Sequence, residues 1–332
     1  MRRIFVYEYL SGGGEPGGSA ESSGTELRTD PQTESHSELL AAGLSMRDAV
    51  SADLLELDHC EVSVAACEST GPVPDGARAV VPRSGESALD FVARQADMHS
   101  HVWVIAPETG GVLAQLNRCV DPVRWLGCDG PAIELTSGKR NTLLRLAHAG
   151  ITTPLAFEHA PEIVRWVVKP NDGAGAIDTR LHATEEAALE DWSSRSRAGS
   201  PVVVEPWIEG ETLSLSLMCR DGQAELLSIN RQHLTIDADG LLSYDGVDVD
   251  VTPVCGPRGA PLNALARAIG RAVAGLRGFV GVDVVWHVRC GPVAIEINPR
   301  VTCAYVGLSR VLDRNLGAET LRACGLRPSG HV

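Results

Sequence analysis

Lysine is nearly missing from this chain of 332 residues: of its 29 cationic side chains only Lys139 and Lys169 are lysines, and the rest are arginines. Arginine presents a wide planar fork, whereas lysine is a compact ammonium on a slim stem that reaches between anionic oxygens as a point charge. Two lysines against that background mark places where an arginine would not fit, or are chance survivors of a codon bias; their neighbours decide between the two. Basic charge is short altogether. A formal net charge of -14 argues against a nucleic-acid partner, because phosphate-neutralising proteins concentrate cations. An anionic ligand must then be met by a local cationic site. The nine cysteines form an odd set without a C-x-x-C pair, which fits reduced thiols better than a disulfide framework or a thiolate metal centre. The first apolar run stops at Ser11 and Gly12, too soon for a signal segment or a membrane span, so the expected location is the cytoplasm and no membrane partner is expected.

Apolar residues are plentiful at 44%, and the length exceeds the roughly 250–300 residues at which single cores stop growing. Residues 4–9 are β-branched and aromatic and run into Ser11-Gly12-Gly13-Gly14, the pattern of a buried strand entering a turn. Residues 12–35 offer almost nothing to bury and read as a mobile loop. Apolar positions then recur at helical spacing over 38–58. Strands at 62–66, 79–81 and 102–106, interleaved with a helix over 88–98, give a small doubly wound α/β unit.

Lys139 opens an amphipathic helix that stops at Gly150 and is followed by Ile151-Thr152-Thr153-Pro154. Trp166-Val167-Val168-Lys169-Pro170 is a short strand entering the small-residue loop 171–176. Another strand, 201–208, ends in the acidic turn Glu209-Gly210-Glu211. Further strands are expected at 213–219, 225–230 and 280–288, a helix at 262–276, and a closing strand at 293–300. There is no internal repeat.

The most informative pairing joins Gly281-Val282-Asp283-Val284 to Glu296-Ile297-Asn298-Pro299-Arg300. In adjacent antiparallel strands Asp283, Glu296 and Asn298 share a face, since 296 and 298 differ by two. Burying unpaired carboxylates costs several kcal/mol, so about that much is relieved by a hard cation. Two carboxylates and an amide oxygen suit Mg²⁺, with Mn²⁺ as a substitute, rather than zinc. The alternative leaves these acids in water at strand ends. Phosphates held by such a metal need cations, and the small-residue loop after Lys169 lets backbone N–H groups come close to them. Neither lysine sits in a Walker A loop, because Arg140 follows Lys139 where Ser or Thr is needed. Gly173-x-Gly175 is not a dinucleotide fingerprint, because Asp178 takes the place of the third glycine.

Taken in order, Lys139 before a Leu-rich helix, V-V-K-P with its loop, V-V-E-P-W-I-E-G-E, G-V-D-V-V and E-I-N-P-R resemble the ATP-grasp ligases. That resemblance implies an α/β plus α+β architecture: an N-terminal doubly wound pre-ATP-grasp domain over 1–118, a central subdomain over 119–200, and a second subdomain over 201–332 carrying the metal. It implies that ATP is bound by Lys139 and Lys169 at the phosphates and by Glu205, Pro206 and Trp207 at the adenine edge. Glu209 or Glu211 would meet the ribose, since Thr212 stands where many members place an acid. Asp283, Glu296 and Asn298 would hold Mg²⁺, and Arg300, with Lys169, would serve the transferred phosphoryl group.

F-V-Y-E-Y-L-S-G at residues 5–12, S-I-N-R-Q-H at 228–233 and R-V-T-C-A-Y-V-G-L at 300–308 are similar to the tyramine-glutamate ligase branch of methanofuran-type cofactor synthesis. That implies condensation of a glutamate γ-carboxylate with tyramine or a related amine. Arg231 is a candidate for pairing with a substrate carboxylate and Tyr305 for contact with an aromatic amine, with a surface ion pair and core packing as the respective alternatives. A ligase for another amino acid or small peptide, and a nucleotide-binding regulatory protein without turnover, also fit the motifs, and a homodimer is compatible with them. His99 and His101 read as surface histidines, and Cys303 as a small buried thiol.

Overall fold

In the computed structural model, which describes residues 1–14, 31–67, 70–173 and 175–326, the first apolar run is strand β1 (Arg2–Glu8). Ile4, Phe5, Val6 and Tyr7 are fully buried, which explains why the run does not alternate: a central parallel strand is covered on both faces. Helix α1 (Pro31–Leu55), β2 (Cys60–Ala65), β3 (Arg78–Val80), α2 (Ala88–Met98), β4 (His101–Ile105), α3 (Val112–Arg118) and β5 (Trp125–Leu126) follow. The strands form one parallel sheet in the order β3-β2-β1-β4-β5, the doubly wound arrangement expected. Right-handed crossovers put α1 on one face and α2 and α3 on the other. Ser87 caps α2 by accepting the Asp90 N–H at 3.1 Å, which accounts for a boundary legible in the sequence. Of the expected loop at 12–35, residues 15–30 lie outside the described residues; α1 begins already at Pro31, since proline suits a first helical position even where no apolar periodicity announces it.

The chain divides into two compact units, Met1–Gly127 with the segment from Tyr305 onward, and Cys128–Ala304. The second unit starts with α4 (Gly130–Ser137), capped by Asp129 through the Ala132 N–H at 2.9 Å, and α5 (Lys139–His148). Strands β6 (Trp166–Pro170), β7 (Arg180–His182) and β8 (Val202–Pro206) form an antiparallel sheet in the order β7-β6-β8. Helix α6 (Glu185–Arg197) closes a small core there of Trp166, Val168, Ala188 and Val202. Strands β9 (Glu211–Arg220), β10 (Gln223–Ile236) and β11 (Leu242–Thr252), helix α7 (Gly259–Ala272), β12 (Gly278–His287) and β13 (Gly291–Asn298) complete the unit. Their sheet is antiparallel in the order β11-β10-β9-β12-β13, with α7 packed on it through Leu262, Leu265, Ala266 and Ile269.

An irregularity in β10 decides what this sheet presents. Leu226 faces Leu217 across the ladder, but after the register shift Ser228 faces Ser216. An extra residue flips the alternation of side chains, so Ser228, Asn230 and Gln232 fall on the face that carries Ser214, Ser216 and Asp283. Ser216, Ser228 and Asn230 are fully buried, and Asn230 donates to the Ser216 hydroxyl at 3.1 Å.

Helices α8 (Leu308–Leu312) and α9 (Leu316–Ala323) belong to the first unit, whereas the sequence reading ran its third region to residue 332. The buried carboxylate of Asp53 on α1 gathers them: Tyr305 and Ser309 hydroxyls donate to it at 2.5 and 2.6 Å and the Gly317 N–H at 3.3 Å. Among the described residues no helix is long and apolar enough to cross a membrane.

Candidate functional site

The polar face of the five-stranded sheet floors a cavity of about 240 Å³ lined entirely by residues of the second unit. Asp283 stands directly opposite Glu296 on one side and Ser214 on the other, and Gly281 stands opposite Asn298 and Ser216. Directly opposed residues share a face, so the acids and the amide come together as their spacing required. Asp283 accepts from the Gln232 amide at 3.0 Å through one oxygen and from the Asn298 amide at 3.4 Å through the other. Burial and the nearby Glu296 charge push its carboxyl above the usual carboxylate range, against the lowering effect of Asn298, Lys139 and Arg300. A side chain on Gly281 would stand 2.6 Å from the Thr302 methyl, so the absence of one lets the segment after β13 lie against the floor.

The two lysines come from different elements, Lys139 from α5 and Lys169 from β6. Lys139 begins α5, and that turn is tied to the loop after β6: the Lys139 N–H donates to the Asn171 carbonyl at 2.8 Å and the Arg140 N–H to the Asn171 side chain at 3.1 Å. Its ammonium is buried, paired with Glu296 at 2.9 Å, and donates to the Gly173 carbonyl. Lys169 pairs with Glu205 at 2.8 Å; the two sit diagonally on neighbouring strands, since Val167 is the direct partner of Glu205. Both are almost entirely buried. The second oxygen of Glu205 and the indole N–H of Trp207 are also buried and have no hydrogen-bond partner among the described residues. A buried polar atom left without a partner costs roughly 1–3 kcal/mol, which a ligand that donates to Glu205 removes. Arg300 lines the same cavity.

Four of the residues singled out from the sequence lie elsewhere. Glu209 is exposed and paired with Arg165. Glu211 pairs with Arg231 at 3.0 Å and with Arg258 at 2.5 Å; burial works to raise its carboxyl, but the two guanidinium partners hold it below its ordinary value. Arg231 is thereby taken up in an ion pair at the surface, the alternative noted for it. None of the three lines the cavity, whereas Thr212 does. Tyr305 is a correction: its ring packs edge-on against Trp103 and its hydroxyl is held by Asp53 in the first unit, so core packing describes it and the substrate role is dropped. His99 is also corrected, being buried against Phe5 with its ring nitrogen 2.8 Å from the Gln95 carbonyl. Cys303 lines the cavity, and burial raises its thiol.

Gln232, Ser214 and Tyr244 line the cavity without having been picked out. Gln232 lies inside the S-I-N-R-Q-H motif, beside Arg231, and strand alternation alone separates the inward amide from the outward guanidinium.

Oxygen donors dominate the floor. Among the described residues no group of three or more His, Cys, Asp and Glu side chains is placed to hold a metal; the two carboxylates and one amide of Asp283, Glu296 and Asn298 are oxygen donors, which suit a hard cation. The raised Asp283 carboxyl is what a cation would relieve. The residues present therefore fit Mg²⁺ at that end and a nucleotide base at the Glu205 end.

The sequence profile of the ATP-grasp domain matches residues 136–304, and that of the pre ATP-grasp 3 domain matches residues 60–133. No curated protein sequence matches the chain. Solved structures do. An ATP-grasp superfamily protein from Archaeoglobus fulgidus aligns with a TM-score of 0.63 at 20% identity, over 99% of this chain and 90% of that one. The L-amino acid ligase from Bacillus licheniformis aligns with a TM-score of 0.64 at 14% identity, over 99% and 75%. D-alanine–D-alanine ligase from Bacillus anthracis aligns with a TM-score of 0.60 at 16% identity, over 98% and 97%. At these identities the likeness is one of fold.

Proposed function

The chain belongs to the ATP-grasp family, and from that membership we propose that it is an ADP-forming ligase joining a carboxylate to an amine through an acyl phosphate. The observation that carries this reading is the convergence of both lysines, Glu205, Asp283, Glu296, Asn298 and Arg300 on one cavity. A protein that only bound a nucleotide would have no use for an arginine beyond the acids. The amino-acid ligases of the same fold support the reaction class.

In this reading Glu205 accepts from the adenine amino group with its unpartnered oxygen, between Val167, Trp207, Ile208 and Ile295. Lys169, freed from sole pairing with Glu205, and Lys139 contact the phosphates. Thr212 meets the ribose hydroxyls in place of Glu209 or Glu211, a reading supported by its being the one of the three that lines the cavity. Asp283, Glu296 and Asn298 would hold Mg²⁺, which would supply positive charge to offset that of the phosphates. A carboxylate oxygen of the first substrate attacks the terminal phosphorus, the bond to ADP breaks with its electron pair, and Arg300 faces the charge that develops. The amine nitrogen then attacks the acyl carbon; the C–N bond forms, phosphate leaves with the C–O electron pair, and the amine proton passes to water or to the leaving phosphate. No protein nucleophile is involved.

The finer reading is that the acid is glutamate, reacting at its γ-carboxylate, and the amine is tyramine or a relative, in methanofuran-type cofactor synthesis. The three sequence stretches similar to the tyramine-glutamate ligases support it. The test is ADP release with glutamate and a panel of primary amines. Stimulation by tyramine is the expected result; stimulation only by another acid or amine would move the reading to a different ligase, and no ADP with any pair would leave a nucleotide-binding protein without turnover.

A further inference from the structure

Beyond the acids the cavity ends in a wall that neither the nucleotide nor the metal assignment uses. It is built by the β10–β11 hairpin, where Gln232 stands opposite Val247 and Leu234 opposite Tyr244. Leu234, Leu242, Tyr244 and Val247 all line the cavity. A register shift between His233 and Leu234 lets Tyr244 and Val247 both face the cavity while Asp245 and Asp248 are exposed, so apolar side chains are turned inward and acids outward on this strand. Gln232, on the same hairpin, donates to Asp283 at 3.0 Å, and the next inward pair along the strands is Leu234 with Tyr244, so this wall adjoins the acids. The Tyr244 hydroxyl makes no hydrogen bond among the described residues.

The wall is held in place. At the hairpin tip the Leu181 N–H donates to the Gly240 carbonyl at 2.7 Å and the Leu242 N–H to the Thr179 carbonyl at 2.9 Å, and Arg180 bridges to Leu241. These bonds fasten the tip to β7, and Ala176, Ile177 and Thr179 line the cavity beside it. A pinned apolar surface near the acids selects by size and shape, as an unpinned one would not.

Two organic substrates have to reach the acid end. The carboxylate brings charge and is met by Arg300, whereas the wall offers no cation and few hydrogen-bond donors, so it suits an uncharged apolar body. We propose that the β10–β11 wall receives the apolar body of the acceptor amine, and that Tyr244 is the residue that selects primary amines carrying an aromatic ring over short aliphatic ones. This rests on the ligase reading of the same cavity.

The experiment compares kcat/KM for phenethylamine and for ethylamine, with glutamate, ATP and Mg²⁺, in the wild type, Tyr244→Phe and Tyr244→Ala. The expected result is a preference for phenethylamine that Tyr244→Phe retains and Tyr244→Ala reduces by about tenfold or more. An unchanged ratio in Tyr244→Ala overturns the inference. Leu234→Ala removes the cross-strand neighbour of Tyr244 and makes the same comparison if Tyr244→Ala does not fold. Should the wild type release no ADP with any pair of acid and amine, the ligase reading fails, and calorimetric titration of phenethylamine in the presence of ADP and Mg²⁺ then decides the wall separately. Binding by the wild type that Tyr244→Ala weakens about tenfold supports it; no binding to the wild type, or equal binding to both, overturns it.

Discussion

Each lysine of this chain is buried and already engaged by an acid, Lys139 with Glu296 and Lys169 with Glu205. A guanidinium in either place keeps the charge but brings a wider, planar head and a geometry set for two-pronged contacts. Lys139→Arg and Lys169→Arg are therefore expected to weaken Mg²⁺–ADP binding by about tenfold or more each, which is roughly 1.4 kcal/mol, read by titration calorimetry; wild-type affinity in either variant would contradict the assignment. Gln232 makes a second case. It holds one oxygen of Asp283, and partners of this kind are typically worth about 10–100-fold in metal affinity. Gln232→Ala should lower Mn²⁺ affinity in the presence of ADP by that range, measured by paramagnetic resonance, with turnover recovered at high metal concentration. An unchanged Mn²⁺ affinity would remove Gln232 from the site. That the lysines and acids line one cavity was legible because the pattern that marks them depends on residue type and order along the chain. Gln232 and Tyr305 were not, because what separates them is which way a side chain points: an irregularity in β10 turns Gln232 inward, and Asp53 draws Tyr305 into the first unit.

Among the elements, those with a strong period were readable: α2 over 88–98, and β12 and β13 from apolar runs broken by acids. Helix α6 was not, since it buries only Ala188 and its sequence is polar on nearly every side. Strand β11 escaped for a related reason, its alternation being one of acids with Val and Tyr on an edge that packs on a cavity rather than on a core. The hairpin it forms depends on Gly240, which has φ +80° and whose added side chain would collide with the Leu181 carbonyl. Gly240→Ala is expected to cost roughly 1–3 kcal/mol of local stability. The amides at 181 and 242, protected in the wild type, should then exchange faster by hydrogen-exchange mass spectrometry. Unaltered exchange at both would mean the tip is not held as described.

At the scale of the whole chain, the last two helices are fastened to α1 of the first unit by one buried carboxylate. Burial pushes Asp53 above its ordinary value, more than the hydrogen bonds from Ser309, Tyr305 and Gly317 lower it. A group raised on folding lends stability while it is protonated, below its unfolded value of about 3.8, and that contribution is lost as pH rises through the raised folded value. The melting temperature of the wild type should accordingly fall relative to that of Asp53→Asn between acid and neutral pH, and a gap that stays constant would show that the site does not titrate in the folded chain. The doubly wound character of the first unit followed from β-α alternation, whereas the order β3-β2-β1-β4-β5 did not, because alternation leaves open which parallel strands are neighbours. The return of residues beyond 304 to the first unit had no sequence signal, because it rests on hydrogen bonds between partners some 250 positions apart, such as Tyr305 with Asp53.

The central claim is that a carboxylate of the substrate is phosphorylated before the amine attacks. Glutamate labelled with ¹⁸O in its carboxylates, incubated with ATP, Mg²⁺ and the accepted amine, tests it directly by mass spectrometry of the released phosphate. The account predicts phosphate carrying one ¹⁸O and ADP as the nucleotide product; unlabelled phosphate, or AMP with pyrophosphate, would contradict it.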